Sequence, residues 1–91
     1  MREPTGSTAA TMHRKLSEAF RPTRLEVIDE SEQHRGHGGW REGGETHFRV
    51  VMRAQSLTGL SRVARSRAVH EVLAAELAGP VHALALDLAE A

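Results

Sequence analysis

The chain has 91 residues, one small domain's worth, and a chain of that size buries only about 60–65% of its unfolded surface, so its core is thin. Twelve basic and twelve acidic residues cancel, which argues against strong non-specific attachment to DNA or membrane, both driven mainly by positive charge, while leaving room for a local basic patch. With no cysteine, disulfides and all-thiolate metal sites are excluded; with two Phe, one Trp and no Tyr, the core must be aliphatic.

Residues 1–7 are polar, with Pro4 and Gly6, and read as a loose tail ahead of a single domain over 8–91. No apolar h-region precedes it and no apolar run approaches the ~20 residues of a membrane span, so a soluble, cytoplasmic protein is expected. Met12, Leu16, Ala19 and Phe20 share one helical stripe, which Arg21-Pro22 ends because the residue before proline avoids the α region. Leu25 to Asp29 is short and β-branched and reads as a strand. Residues 30–43 carry four of the eight glycines and almost no apolar side chain. A loop of that length in so small a domain is usually functional or disordered.

Glu45 to Met52 reads as a second strand, with Phe48, Val50 and Met52 on one face and His47, Arg49 and Val51 on the other. Ser61 is placed to cap a helix over about 62–77, whose buried stripe is Val69, Val72, Leu73 and Leu77 and whose stop is Gly79-Pro80. Val81 to Leu88 reads as a third strand, with Leu84, Leu86 and Leu88 on one face. His82 shares that face at the strand's opening. The first two strands pair antiparallel; the helix between the second and third makes those two parallel, with a right-handed crossover. The expected fold is a two-layer α+β (α/β) domain of order αββαβ. Both helices cover one face of a three-stranded mixed sheet, and the other face is thinly covered.

Histidine is the commonest metal ligand, and four of the six histidines stand where a site can form. His34 and His37 lie in the Gly-rich stretch, His47 opens the second strand and His82 the third. For His47 a hydrogen bond across the strands is the reading preferred over ligation. With no cysteine of its own, a thiolate ligand would be a partner's. Arg49, Arg53, Arg62, Arg65 and Arg67 form a basic run with no acid between 49 and 67. Arg62, Arg65 and Arg67 are the candidate nucleic-acid contacts. Helical spacing turns Arg67 away from the other two, no aromatic residue interleaves for base stacking, and Thr58-Gly-Leu-Ser61 is not the Gly-x-x-Gly clamp of K-homology domains. Arg65 and Arg67, with the lone Trp40, are alternatively contacts for a protein partner. No nucleophile–base motif, phosphate loop or zinc-protease helix is present, so an enzyme is not expected. Asp29, Glu30 and Glu32 at a strand end need no catalytic explanation.

Leu25-Glu-Val-Ile-Asp-Glu-Ser31, His34-Arg-Gly-His37, Gly44-Glu-Thr-His-Phe48, Gly59-Leu-Ser61, Arg65-Ser-Arg67 and Gly79-Pro-Val-His-Ala-Leu84 follow in the order and spacing of the BolA family. The resemblance covers about residues 12–88, with a loop like that of the histidine-type subgroup, and implies a K-homology-like fold. It implies partnership with a monothiol glutaredoxin, the two proteins sharing a [2Fe-2S] cluster with glutathione; alone, the chain would hold none. The ligand on this side would be His82, with a second from the loop, His34 or His37. It also implies an alternative role as a DNA-binding regulator of stress and morphology genes. The chain departs from the family where members carry Arg-His-Arg: here Ser66 replaces the imidazole. It also stops soon after the last strand, and a C-terminal tail found in many members is expected to be missing or vestigial.

Overall fold

A computed structural model describes residues 7–31 and 45–91. Helix α1 (Ser7–Phe20) leads into strand β1 (Arg24–Asp29). Strand β2 (His47–Arg53) and a 3-10 turn (Gln55–Leu57) precede helices α2 (Arg62–Val72) and α3 (Ala74–Ala78), and strand β3 (Ala83–Ala89) closes the order. The sheet order is β1-β2-β3, with β1 antiparallel and β3 parallel to β2. This is the two-layer α+β arrangement expected. Of the expected tail, residues 1–6 lie outside the described residues, and Ser7 already opens α1.

The core follows from the two periodicities meeting on one side of the sheet. Met12 and Leu16 of α1, and Val69 and Leu73 of the second helical region, are fully buried against Phe48, Val50 and Met52 of β2. Leu84, Leu86 and Leu88 pack half-buried on the same cluster. Alternation along β2 predicts that set, since every second side chain shares a face. The opposite face is better covered than expected at β2. Val51 is buried there between its register partners Glu26 and Asp87, as befits the middle strand.

Local chemistry sets the element ends. Ser61 caps α2 as expected, its Oγ accepting from the Ala64 N–H at 3.1 Å. Arg21 takes a left-handed conformation (φ 47°) with its N–H donating to the Ser17 carbonyl, and Pro22 then prevents continuation. The expected single helix over 62–77 is broken at Leu73 (φ −100°, ψ 19°), where the sequence holds neither Gly nor Pro. The two sides of the break serve different contacts. Val69 and Leu73 face the core, whereas Glu76 beyond it accepts two hydrogen bonds from Lys15 Nζ on α1, at 3.0 and 2.9 Å.

Strands β2 and β3 each begin two residues later than the apolar pattern indicates, at His47 and Ala83. Glu45 is left-handed (φ 62°), so its carboxylate turns away from the ladder. It accepts instead from the Thr8 and Ala9 N–H groups at 3.4 and 3.2 Å, satisfying donors that the first turn of α1 leaves open.

Candidate functional site

The site builds from the junction where β1 ends and β2 begins. Asp29 Oδ1 accepts from the Ser31 N–H at 2.9 Å, an Asx turn, and from the Ser31 hydroxyl. Its other oxygen accepts from the Glu45 N–H at 3.0 Å. Burial pushes the Asp29 carboxyl upward, but the hydrogen bonds from Ser31 and Glu45, helped by His47 nearby, outweigh it and hold the group below the ordinary carboxylate value. Ser31 Oγ in turn accepts from the N–H groups of Thr46 and His47, at 3.0 and 3.2 Å. One buried hydroxyl thus locks the two flanks of the 32–44 segment together.

His47 rises from this junction. It is 6% exposed, and its Nδ1 shares a 2.8 Å hydrogen bond with Thr46 Oγ1. His47 is hydrogen-bonded, as expected, and one partner is the neighbouring Thr46 hydroxyl. His82 lies against it: the rings stack with centroids 6.5 Å apart and planes 22° from parallel. His82 precedes β3, and its N–H donates to the Thr46 carbonyl at 2.7 Å, a carbonyl that also accepts from Ala83 at 3.2 Å. Its side chain is exposed. Because His82 lies outside the ladder, strand alternation does not govern it. The ring sits with His47, which is on the opposite face to Phe48 and Leu84, rather than on the leucine face where alternation puts it.

Among the described residues, no three His, Cys, Asp or Glu side chains converge as a metal site. The loop candidates His34 and His37, and Trp40, lie outside the described residues. Sequence reasoning passed over Asp29, Ser31 and Thr46; the Asp-x-Ser spacing of an Asx turn at the end of β1 was the available signal.

The basic candidates divide. Arg62 and Arg65 line one cleft of about 760 Å³ with Arg49, Leu60, Leu86 and Leu88, while Arg67 is not among its lining residues. Helical spacing anticipated that split. Ser66 also lines the cleft, so the hydroxyl that departs from the resembled pattern faces the groove and not the His47–His82 end. Its Oγ approaches His70 Nδ1 at 3.4 Å.

Comparison with known proteins settles the family. The model of the BolA-like protein family matches residues 16–90. The chain belongs to the BolA family. It is 49% identical over 82 residues to a Sinorhizobium protein described as lying in the cobS 5′ region, across 89% of this chain and 88% of that one. It is 46% identical over 82 residues to human BolA-like protein 1, covering 90% of this chain but 57% of the human protein. It thus spans little more than half the length of the mammalian relatives. It is 43% identical over 75 residues to a Vibrio cholerae protein named DNA-binding transcriptional regulator BolA, across 82% of this chain and 67% of that one. Among solved structures, the BolA domain of SufE1 from Arabidopsis thaliana superposes with a TM-score of 0.85 at 34% identity, covering 96% of this chain and 95% of that domain. In this BolA-family chain, the His82 and Thr46 segments fall within the matched region.

Proposed function

We propose that this BolA-family chain is an adaptor that pairs with a monothiol glutaredoxin and shares a [2Fe-2S] cluster with it as cargo. His82 and one loop histidine, His34 or His37, are the ligands on this side; the glutaredoxin cysteine and glutathione complete the set. The observation that carries this reading is the exposed His82 ring, pinned through its backbone to Thr46 and backed by a buried His47. The absence of any cysteine fits a half-site that takes its sulfur from a partner. A BolA domain carried in a SufE-like protein supports an iron–sulfur setting.

The chain's own residues do three things in this reading. The Thr46 carbonyl fixes where the His82 backbone stands. His47 limits the directions the His82 ring can take, and Ser31 anchors the root of the loop that brings the second imidazole. Imidazole in place of thiolate would remove negative charge from one iron and raise the potential of a shared cluster.

The test is visible circular dichroism of the chain mixed with a monothiol glutaredoxin, glutathione and reconstituted cluster, for wild type and His82→Ala. A new heteromeric spectrum that His82→Ala abolishes is expected. An unchanged glutaredoxin spectrum with wild type sinks the reading for that partner.

A second reading, a DNA-binding regulator working through Arg62 and Arg65, is supported by the names of relatives such as the Vibrio cholerae protein. It requires binding that weakens steeply with salt and survives His82→Ala.

A further inference from the structure

Strand β3 pairs with β2 along one edge, and no described element covers the other. The Ala83 N–H donates to the Thr46 carbonyl at 3.2 Å, and the Ala89 carbonyl accepts from the Ala54 N–H at 3.1 Å, both on the β2 side. Strand alternation therefore turns the backbone N–H and C=O groups of Leu84, Leu86 and Leu88 outward. Proteins usually blunt such an edge with charge, proline or a bulge. Here the sequence of β3 is Ala-Leu-Ala-Leu-Asp-Leu-Ala, and its single charge, the half-exposed Asp87, is paired with Arg53 at 3.1 Å.

The cleft beside this edge is basic and apolar together. Arg62 and Arg65 stand on its helix side and Arg49 on its sheet side. Arg65 spends its Nε on the Leu57 carbonyl, and neither it nor Arg62 has an ion-pair partner among the described residues. Leu60, 39% exposed, lines the cleft, and Val63, 58% exposed, stands on the first turn of α2 that bears Arg62 and Arg65.

We infer that the β3 edge takes an extended, acidic peptide segment as a fourth strand, its carboxylates meeting Arg62 and Arg65, since Arg49 already pairs with Glu30 at 2.9 Å, and its apolar side chains lying on Leu60, Leu86 and Leu88. Backbone groups set for a ladder are satisfied by another peptide backbone, the mode of β-strand addition, and the period of two matches alternating acidic and apolar side chains. A nucleic-acid strand fits less well. Among the described residues, no aromatic ring lines the cleft for a base to stack on. The inference does not depend on cluster sharing at the His82 end.

The probe is a fluorescein-labelled peptide of alternating Glu and Val, matched to β3 in length and read by anisotropy against the whole chain. Backbone amide shifts of Leu84, Leu86 and Leu88 are followed in parallel. Two N-methylated versions block one or the other edge of the peptide. Binding is expected, with those three amides shifting, one N-methylated version inactive and the other active. Arg62→Glu, at an exposed position that does not threaten folding, should weaken it about tenfold. Equal binding by both N-methylated peptides, indifference to Arg62→Glu, or no binding overturns the inference. Tighter, salt-sensitive binding of oligothymidylate at the same amides also overturns it and assigns the cleft to nucleic acid.

Discussion

The rings of His47 and His82 are stacked 6.5 Å apart, yet one is buried and hydrogen-bonded and the other is exposed. The two histidines therefore have separable jobs. Removing an exposed side chain usually changes stability by no more than about 0.5 kcal/mol, so His82→Ala should unfold in urea almost as wild type does. His47→Ala strips the bond to Thr46 Oγ1 and leaves a void, and should cost about 1–3 kcal/mol. Equal losses in the two variants would show that His82 is a structural residue and would remove the physical basis for treating it as an available ligand.

Ser31 is 2% exposed and stands between Asp29 and the N–H groups of Thr46 and His47. Ser31→Ala deletes the acceptor for two buried donors at once. Leaving buried donors unsatisfied costs about 1–3 kcal/mol, so the urea midpoint should fall by that equivalent with the m-value unchanged. In the shared-cluster mixture the variant should also give a weaker heteromeric signal per folded chain, because the loop root is no longer tied to the His47–His82 end. A full signal at reduced stability would confine Ser31 to folding.

The layers, strand directions and central core were legible in the sequence because they rest on local periodicity: Met12 and Leu16 in a helical stripe, Phe48, Val50 and Met52 alternating, and Ser61 before its helix. Three features escaped for one physical reason, that they are made by partners far apart in the chain. Glu45 leaves the strand pattern to cap α1, some 36 positions away. The helix breaks at Leu73, beyond which Glu76 meets Lys15. His82 leaves strand alternation because its N–H and that of Ala83 share the Thr46 carbonyl. The cleft was half legible: helix geometry separated Arg67 from Arg62 and Arg65, but nothing local brings Arg49 to them.

Asp29 gives the acid limb of stability a specific origin. Its folded value lies below the ordinary 3.8, so between the two values the unfolded state binds the proton and the folded state does not. Its contribution is thus complete above the ordinary value and is lost as pH falls through the folded value. Asp29→Asn should lower stability at neutral pH and flatten the fall on acidification. Parallel curves for wild type and variant across the acid range would show that the Ser31 and Glu45 hydrogen bonds do not act through the charge.

Lys15 and Glu76 tie α1 to α3 through an ion pair whose carboxylate side chain is only 10% exposed and whose ammonium side chain is 28% exposed. Such a pair is asymmetric: losing one partner leaves the other's charge uncompensated, whereas replacing both with apolar groups is often near neutral. Lys15→Met should cost about 1–3 kcal/mol, less than a fully buried pair because water reaches the lysine. The double variant Lys15→Met with Glu76→Leu should recover to within about 1 kcal/mol of wild type. The four urea curves form a double-mutant cycle with a large coupling. If the two substitutions simply add, the pair does not hold α3 onto α1, and the break at Leu73 needs another cause.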